Sequence, residues 1–190
     1  MESLTEKLLV AIPELPDSNF SRSVVLILEH NEQGAMGVIL NRPSNVTVSE
    51  YLSQQDSSVK LTIAGNIHVG GPVEGPVLSL HNQFSLSDPA IIDEVYLASD
   101  GERLMQLVNR DTELSGTDLK LKVFQGYSGW APGQLDMEID NGGWLVADAR
   151  ADDVFCQPDF LWKSICERVG NDIMLRRIPN LRVGGDPGLN

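Results

Sequence analysis

The sequence predicts an α+β fold whose sheet is mixed or antiparallel. Short apolar runs typical of strands outnumber helical segments, and turn-forming residues often separate neighbouring runs. Because strands and helices do not alternate strictly, the pattern favours hairpin connections over the repeated β–α–β units of a parallel sheet. A chain of 190 residues, of which 42% are hydrophobic, is long enough to bury one independent core.

The clearest strand signals lie near the amino terminus. Residues 8–12 form a short apolar run that ends at Pro13, and residues 23–29 form a continuous β-branched and aliphatic run. Such an uninterrupted run predicts a strand that is buried on both faces. Turn-forming residues at 31–34 lead into apolar residues 36–40, so the second and third runs are expected to form a β-hairpin.

Helix signals follow the hairpin. Residues 47–50 (Thr-Val-Ser-Glu) and 99–102 (Ser-Asp-Gly-Glu) have the spacing of a capping box, which predicts a helix after each. A short helix is predicted at 132–139, and a last helix is expected to end at Gly170. In 119–127, leucine and valine alternate with lysine, which is typical of a half-buried strand. Further strands are predicted at residues 60–64, 76–81, 94–98 and 143–147.

The charge balance argues against nucleic-acid binding. The chain has 14 Lys and Arg against 27 Asp and Glu, a net charge of −13, so it repels the phosphates that supply most nonspecific affinity. No apolar run approaches the roughly 20 residues of a membrane span. Residues 1–7 are polar and acidic, unlike a signal peptide. We therefore expect a cytoplasmic, monomeric protein that does not bind membranes.

The chain does not match the known sequence motifs of catalytic, phosphate-binding or metal sites. Residues 126–130 (Gly-Tyr-Ser-Gly-Trp) have a tryptophan where a nucleophile elbow needs its last glycine. Residues 70–72 (Gly-Gly-Pro) lack the Lys-Ser/Thr of a phosphate-binding loop, and form either a tight turn or a ligand-binding nest. His30, His68 and His81 lack the short spacing of a zinc site. We expect no catalytic residue, no metal and no cofactor.

Polar and glycine residues at strand ends are the best candidates for a binding site, since pockets form between the loops there. Residues 126–138 are either an anion-binding loop before a helix or a structural crossover whose tryptophan plugs the core. Arg42 is expected to pair with an internal carboxylate; the alternatives are an anionic ligand or an acidic partner segment. The internal partners considered are Glu29, Glu74 and Glu138. The candidate binding residues are His30, Asn41, Arg42, Gly70, Gly71, Pro72, His81, Gly126, Tyr127, Gly129, Trp130, Gly133 and Gln134.

Three functional hypotheses follow from these residues. The leading one is a non-catalytic binding or regulatory protein that recognises an unknown protein partner or a small anionic ligand in a cleft at strand ends. The second is a hydrolase-like enzyme acting on a small anionic substrate, which requires a pocket with a perturbed titratable group near His30 or His81. The third is a transcription-linked regulator, which requires a contiguous basic face that the net charge disfavours.

Eight short segments form an ordered set along the chain: residues 9–13, 29–31, 34–37, 41–43, 70–73, 80–81, 126–130 and 133–135. As a set, they resemble the YqgE/AlgH family of bacterial proteins over about residues 8–170. The resemblance implies a branched sheet with a small closed barrel, surrounded by helices, and a family without an established activity, one branch of which is described as a regulator of alginate synthesis. It also implies one domain at 8–170, with a polar extension at 1–7 and a partly mobile extension at 171–190.

Overall fold

The structure, a computed structural model, describes residues 3–15, 17–55, 65–84, 89–113 and 119–177. These residues form ten strands and five helices, which confirms the α+β class. The strands are β1 (Lys7–Ala11), β2 (Val24–Asn31), β3 (Gly34–Ile39), β4 (Pro43–Thr47), β5 (Asn66–Val69), β6 (Val73–His81), β7 (Ala90–Ile92), β8 (Val95–Ala98), β9 (Leu121–Trp130) and β10 (Trp144–Asp148). The helices are α1 (Val48–Gln55), α2 (Gly101–Glu113), α3 (Gln134–Asp140), α4 (Ala151–Phe155) and α5 (Pro158–Arg177).

All ten strands belong to one large sheet, which is curled into a half-barrel. Along the main path the order is β10-β1-β2-β3-β9-β6-β8-β7, and every neighbouring pair on that path is antiparallel. Strand β5 leaves this path as a branch, because it pairs in parallel with β9 and antiparallel with β4. The sheet is therefore mixed, largely antiparallel and branched at β9.

Strand β2 lies at the centre of the core, as its unbroken apolar run predicts. Val24, Leu26 and Leu28 pack on one face of the sheet with residues of α4 and α5. Val25 and Ile27 pack on the other face with residues of α3. All five side chains are buried. The strand pairs with β1 on one side and with β3 on the other, and the second pairing confirms the predicted hairpin.

Both helix-start predictions are confirmed in outline. At α1, Glu50 N donates to Thr47 Oγ1 (3.1 Å) and Thr47 N donates to Glu50 Oε2 (2.8 Å), which is a complete capping box. The main-chain N–H of Thr47 and then its hydroxyl, which both donate to Glu50 Oε2 at 2.8 Å, lower the pKa of the Glu50 carboxyl below its ordinary value. At α2, the capping side chain is Asp100 and not Ser99, since Arg103 N donates to Asp100 Oδ1 at 2.8 Å.

Two predictions are wrong: the end of the last helix at Gly170, and the exposure of Lys122 that the half-buried strand pattern implied. Gly170 does not stop the last helix, because α5 continues to Arg177. Lys122 does not lie on a solvent-facing side of its strand: it is only 7% exposed. The alternation of leucine and lysine predicted the strand correctly. It could not predict that α4 covers the face of β9 on which Lys122 lies. The contact between Lys122 and Cys156, just after α4, is tertiary and leaves no local pattern.

Some predictions fall outside the described residues, namely the strand at 60–64 and the mobile tail beyond residue 177. The sequence patterns also missed three short strands and one helix: β4, β5, β7 and α4. Short elements carry too few residues for a clear period. None of the helices in the described part of the chain is long and apolar enough to cross a membrane.

Candidate functional site

The candidate binding residues lie in separate groups along strand β9. Trp130, at the end of β9, lies close to His30 because both pair with the same residue of β3. Residues 126 and 127 contact the turn at 70–72 near the middle of the strand, whereas His81 pairs with its first residue. The strand has 10 residues, so its ends lie about 30 Å apart at roughly 3.3 Å per residue. The candidates therefore do not converge on one cleft.

His30 joins the amino-terminal segment to helix α3. Its main-chain N donates to Thr5 Oγ1 (3.2 Å), and its Nδ1 accepts a hydrogen bond from Leu4 N (3.0 Å). Because Nδ1 is an acceptor, the proton of the neutral ring is on Nε2, which lies 3.5 Å from Asp136 Oδ2. Every polar atom of this buried side chain thus faces a group of the protein itself, which is typical of a structural role.

Glu138 binds two tryptophans and holds the end of β9 against α3. Its Oε2 accepts hydrogen bonds from the indole Nε1 atoms of Trp130 (3.0 Å) and Trp144 (2.9 Å), and its Oε1 accepts one from Gln134 Nε2 (2.8 Å). Gly133 precedes α3 in the left-handed region (φ 71°) and allows the sharp turn into it. Of the two interpretations of residues 126–138, these contacts favour the structural crossover.

Asn41 and Arg42 fasten the end of β3 to the loop before β2. Asn41 Oδ1 accepts a hydrogen bond from Val24 N, and Asn41 Nδ2 donates to Arg22 O, each at 2.9 Å. Arg42 Nη2 donates to the main-chain oxygen of Ser21 at 3.1 Å. Among the described residues, Arg42 forms no ion pair with a carboxylate, so the expected internal pair is not found there.

Two of the candidate glycines, Gly71 and Gly126, line an open cavity together with Gly75, and we call it the glycine cleft. The glycine cleft has a volume of about 450 Å³. Val69 and Val73 are 43% and 36% exposed, and both contribute apolar surface to its lining. Its lining consists of Val69, residues 71–75 and residues 125–126.

Close contact between two main-chain segments forms the floor of the glycine cleft. A Cβ atom on Gly70 would lie 2.2 Å from Gly126 O, and one on Gly71 would lie 2.3 Å from Tyr127 C. Gly126 has φ 72°, a conformation that side chains rarely adopt. Ser128 is fully buried and its Oγ donates to Gly70 O at 3.1 Å, so it braces this floor and is no exposed nucleophile.

His81 and Gly129 are interior positions of the sheet. His81 is fully buried, its Nδ1 accepts a hydrogen bond from Gln83 N (3.2 Å), and its ring centroid lies 5.9 Å from that of Tyr96. Gly129 pairs with Met36 across the β3–β9 ladder. Neither residue lines the glycine cleft. A binding role for either one stays a prediction.

The sequence patterns missed a buried polar group that we call the lysine cluster, formed by Lys122, His68 and Cys156. Lys122 Nζ donates to the main-chain oxygens of Leu40 (3.1 Å) and Cys156 (3.4 Å). Burial lowers the pKa of Lys122 from its ordinary value to about 8. Burial is the main cause and the nearby Lys122 ammonium the second cause of a lowered pKa of His68, which falls to about 4. Both shifts reflect the cost of placing charge in the core.

The other members of the lysine cluster do not neutralise Lys122. His68 is 7% exposed; its Nδ1 lies 3.0 Å from Asn66 O, and its Nε2 has no hydrogen-bond partner among the described residues. Burial raises the pKa of the Cys156 thiol above its ordinary value, which keeps it uncharged at neutral pH. In the described ranges, no three His, Cys, Asp or Glu side chains are placed to hold a metal ion.

The fold and these contacts define a class of protein: an α+β half-barrel with a branched sheet, a glycine-lined cleft and no recognised catalytic constellation among the described residues. The chain belongs to the AlgH-like family, whose model matches residues 8–174. This result confirms the resemblance inferred from the sequence segments, and with it a family for which no catalytic function is indicated.

Relatives and solved structures agree with this assignment. The chain is 35% identical to a UPF0301 protein of Cytophaga hutchinsonii over 97% of each chain. It is also 35% identical to the UPF0301 protein SCO2948 of Streptomyces coelicolor, over 100% of this chain and 97% of that one. The solution structure of the AlgH protein from Pseudomonas aeruginosa is similar with a TM-score of 0.70 and 28% identity, over 97% of this chain and 96% of that one. The crystal structure of protein DIP2367 from Corynebacterium diphtheriae has a TM-score of 0.67 and 29% identity, over 88% of each.

Proposed function

We propose that this protein is a non-catalytic binding protein that receives an extended segment of a partner protein in the glycine cleft. The observation that carries the proposal is the combination, in one open cavity, of exposed main chain and half-exposed valines. Extended peptides are recognised by main-chain hydrogen bonds together with pockets for alternate side chains. Val69 and Val73 supply apolar contact for small side chains, and the glycines allow a second backbone to approach closely.

The strand that borders the glycine cleft offers an open edge. On the side away from β9, the described part of β6 pairs only over Ser79 to His81, with β8. On the β9 side, the register jumps from Val73 to Val77, so residues 74–76 bulge opposite Gly126. Unpaired strand edges recruit additional strands. Pro76 lacks an N–H donor, which limits such pairing to the residues before it.

The acidic charge of the protein indicates which kind of partner segment the glycine cleft binds. The chain has a net charge of −13, and Glu74 lines the glycine cleft. An acidic surface attracts basic partners and repels acidic ones. The proposed partner segment is therefore extended and basic, with small apolar side chains at alternate positions. The same proposal includes a monomeric protein in the cytoplasm that does not bind nucleic acid directly. The net charge supports the monomer and the absence of nucleic-acid binding, because it repels both further copies of the chain and phosphates.

The enzyme hypothesis has less support. It required a pocket with a perturbed titratable group near His30 or His81. Lys122, whose pKa is lowered to about 8, lies beside Leu121, the partner of His81 on β9, but its side chain is on the opposite face of the strand from that of Leu121. The other strongly shifted pKa is that of His68. Neither of these two residues lines the glycine cleft. The regulator hypothesis, if it acts through DNA, conflicts with the net charge.

We also propose that the small barrel of the family closes through β3, β4, β5 and β9. Strand β4 follows β3 directly, β5 pairs with both β4 and β9, and β9 pairs with β3. Two main-chain hydrogen bonds of 2.8 Å support this closure, from Ile39 N to Gly70 O and from Val69 N to Arg42 O. The glycine cleft would then lie beside the rim of that barrel.

A display experiment tests the binding proposal. Peptides selected from a random library on the wild-type protein should be extended, basic sequences with small apolar residues. Val73→Lys removes an apolar contact and adds a repelling charge in the glycine cleft, so it should weaken a selected peptide by at least about tenfold. Phe160→Lys makes the same charge change at a side chain that is 73% exposed on α5, and should leave the affinity unchanged.

The measurement is isothermal titration calorimetry of one selected peptide with the three proteins. Equal affinity for the wild type and Val73→Lys would remove the glycine cleft as the binding site. Selection of predominantly acidic peptides would contradict the proposed chemistry of the partner.

A further inference from the structure

Lys122 is buried without a counter-ion. Its side chain enters the core from the second residue of β9, on the same face as Phe124. The ammonium group donates to the main-chain oxygens of Leu40 and Cys156. Among the described residues, no carboxylate lies within 4.0 Å of it. A buried charge that lacks a paired opposite charge is costly, and natural proteins seldom retain one without a reason.

The charged groups around Lys122 confirm that the positive charge is uncompensated. Asp153 is occupied by a bidentate ion pair with Arg168, at 2.9 Å to each oxygen. Cys156 is an uncharged thiol at neutral pH, since burial raises its pKa. His68, on β5, is an uncharged imidazole whose pKa is lowered to about 4. Lys120, which is exposed just before β9, adds a second positive charge.

A cavity opens beside Lys122, between the start of β9 and helix α4. This space, which we call the lysine cavity, has a volume of about 480 Å³. Its lining includes two cationic residues, Lys120 and Lys122, the apolar Phe155, the thiol-bearing Cys156 and one acidic residue, Asp152. Small-molecule sites typically pair an apolar lining with a few convergent polar groups.

We propose that the lysine cavity binds a small organic acid, whose carboxylate pairs with the Lys122 ammonium and whose short apolar body packs on Phe155. The carboxylate supplies the counter-ion that the protein lacks, and the apolar lining explains why an inorganic anion is a poorer fit. Asp152, which is exposed, disfavours ligands with a second negative charge and so favours monocarboxylates. This site is distinct from the glycine cleft and independent of the partner proposed for it.

Butyrate is a suitable probe, and nuclear magnetic resonance of protein with ¹³C-labelled lysines is the measurement. The Lys122 signal is identified by its loss in Lys122→Met. Addition of butyrate should shift this signal saturably, whereas butyramide, which has nearly the same shape and no charge, should bind at least about tenfold more weakly. Lys163→Met changes a lysine whose side chain is 76% exposed on α5, and should leave butyrate binding unchanged.

The pH dependence provides a test that needs no variant. Only the protonated amine pairs with a carboxylate, and the pKa of Lys122 in the free protein is about 8. The protonated fraction falls about tenfold between pH 7 and pH 9, so the affinity for butyrate should fall by about the same factor. Butyrate itself stays ionised throughout this range.

Four results would overturn the proposal. They are the absence of a saturable shift, equal binding of butyramide, an affinity that does not change between pH 7 and pH 9, and retention of butyrate binding in Lys122→Met. Binding of inorganic phosphate without binding of butyrate would also exclude the organic acid as the ligand. Because Met fills the same core space without a charge, we expect Lys122→Met to fold, and the wild-type measurements decide the question if it does not.

Discussion

The two ends of strand β9 handle buried polar groups in opposite ways. At the Trp130 end, the Glu138 carboxylate accepts hydrogen bonds from Trp130, Trp144 and Gln134. At the other end, Lys122 has only main-chain oxygens as partners, and Nε2 of the neighbouring His68 has none among the described residues. A network with its partners supplied by the protein stabilises the fold, whereas an uncompensated charge lowers stability and marks a place where a ligand could be accommodated.

The largest effect is expected at the first end. Glu138→Ala leaves two indole N–H groups without their acceptor, and hydrogen bonds to charged groups are each worth about 1.5–3 kcal/mol. We expect a loss of about 4 kcal/mol in the free energy of unfolding and a fall of roughly 10 °C in melting temperature. Urea and thermal unfolding measure both. Glu167→Ala, at a largely exposed carboxylate of α5, is the control and should change the free energy of unfolding by less than about 0.5 kcal/mol. Similar melting of the two variants would show that the Glu138 network does not stabilise the fold.

The second effect concerns acid stability and His68. The pKa of His68 is about 4 in the folded protein and 6.5 ordinarily, so between these values the unfolded chain binds a proton that the folded chain does not. Stability from this group is therefore present above pH 6.5 and is lost as the pH falls towards 4. The loss is at most about 3 kcal/mol.

The variant His68→Phe isolates this contribution. Phenylalanine cannot bind a proton, so the difference in unfolding free energy between wild type and His68→Phe should change by that amount between pH 6.5 and pH 4. Contributions of the many carboxylates cancel in the difference. A difference that stays constant with pH would mean that His68 titrates alike in the folded and unfolded chains.

The smallest effect is a gain in stability at Lys122. Lys122→Met replaces a buried uncompensated charge by an apolar chain of similar length, and should raise the free energy of unfolding at pH 7 by about 2 kcal/mol. In the wild type, the pKa is about 8 folded and 10.5 ordinarily, so stability should rise as the pH increases through this window. Lys122→Met should lack that rise, and Lys163→Met should keep it. A destabilised Lys122→Met protein would indicate that the hydrogen bonds of the ammonium to Leu40 O and Cys156 O outweigh the cost of burying its charge, which would make the two ends of β9 alike.

Local patterns in the sequence were sufficient for most of the longer elements. The apolar run of β2, the turn before β3 and the Thr47–Glu50 spacing each depend on neighbouring residues, and each prediction agrees with the structure. Gly170 failed as a helix stop because a single glycine lowers helix stability by only about 1 kcal/mol. Apolar contacts of α5 with the sheet, such as those of Ile165 and Val169, offset that cost.

Sequence patterns predicted only some of the residues of the candidate site. Gly70, Gly71 and Gly126 could be singled out from the sequence, because close main-chain contact requires glycine and leaves a recognisable composition. The role of Trp130 could not, because its acceptor, Glu138, is on the next helix and no local pattern identified it as the partner of Trp130. Only the contact between Gln134 and Glu138 follows from the spacing of four residues on a helix. Sequence patterns suggest which residues are unusual, but not which of them meet.

The sequence by itself determined the fold class, the family and the acidic character of the protein, because these depend on local periodicity, motif order and composition. Tertiary structure alone decided the burial of Lys122 and the separation of His30 from His81. Burial depends on which distant segment covers a strand face, and α4 covers β9 from a remote part of the chain. Distances between strand ends depend on the path of the sheet, which places the two histidines at opposite ends of β9.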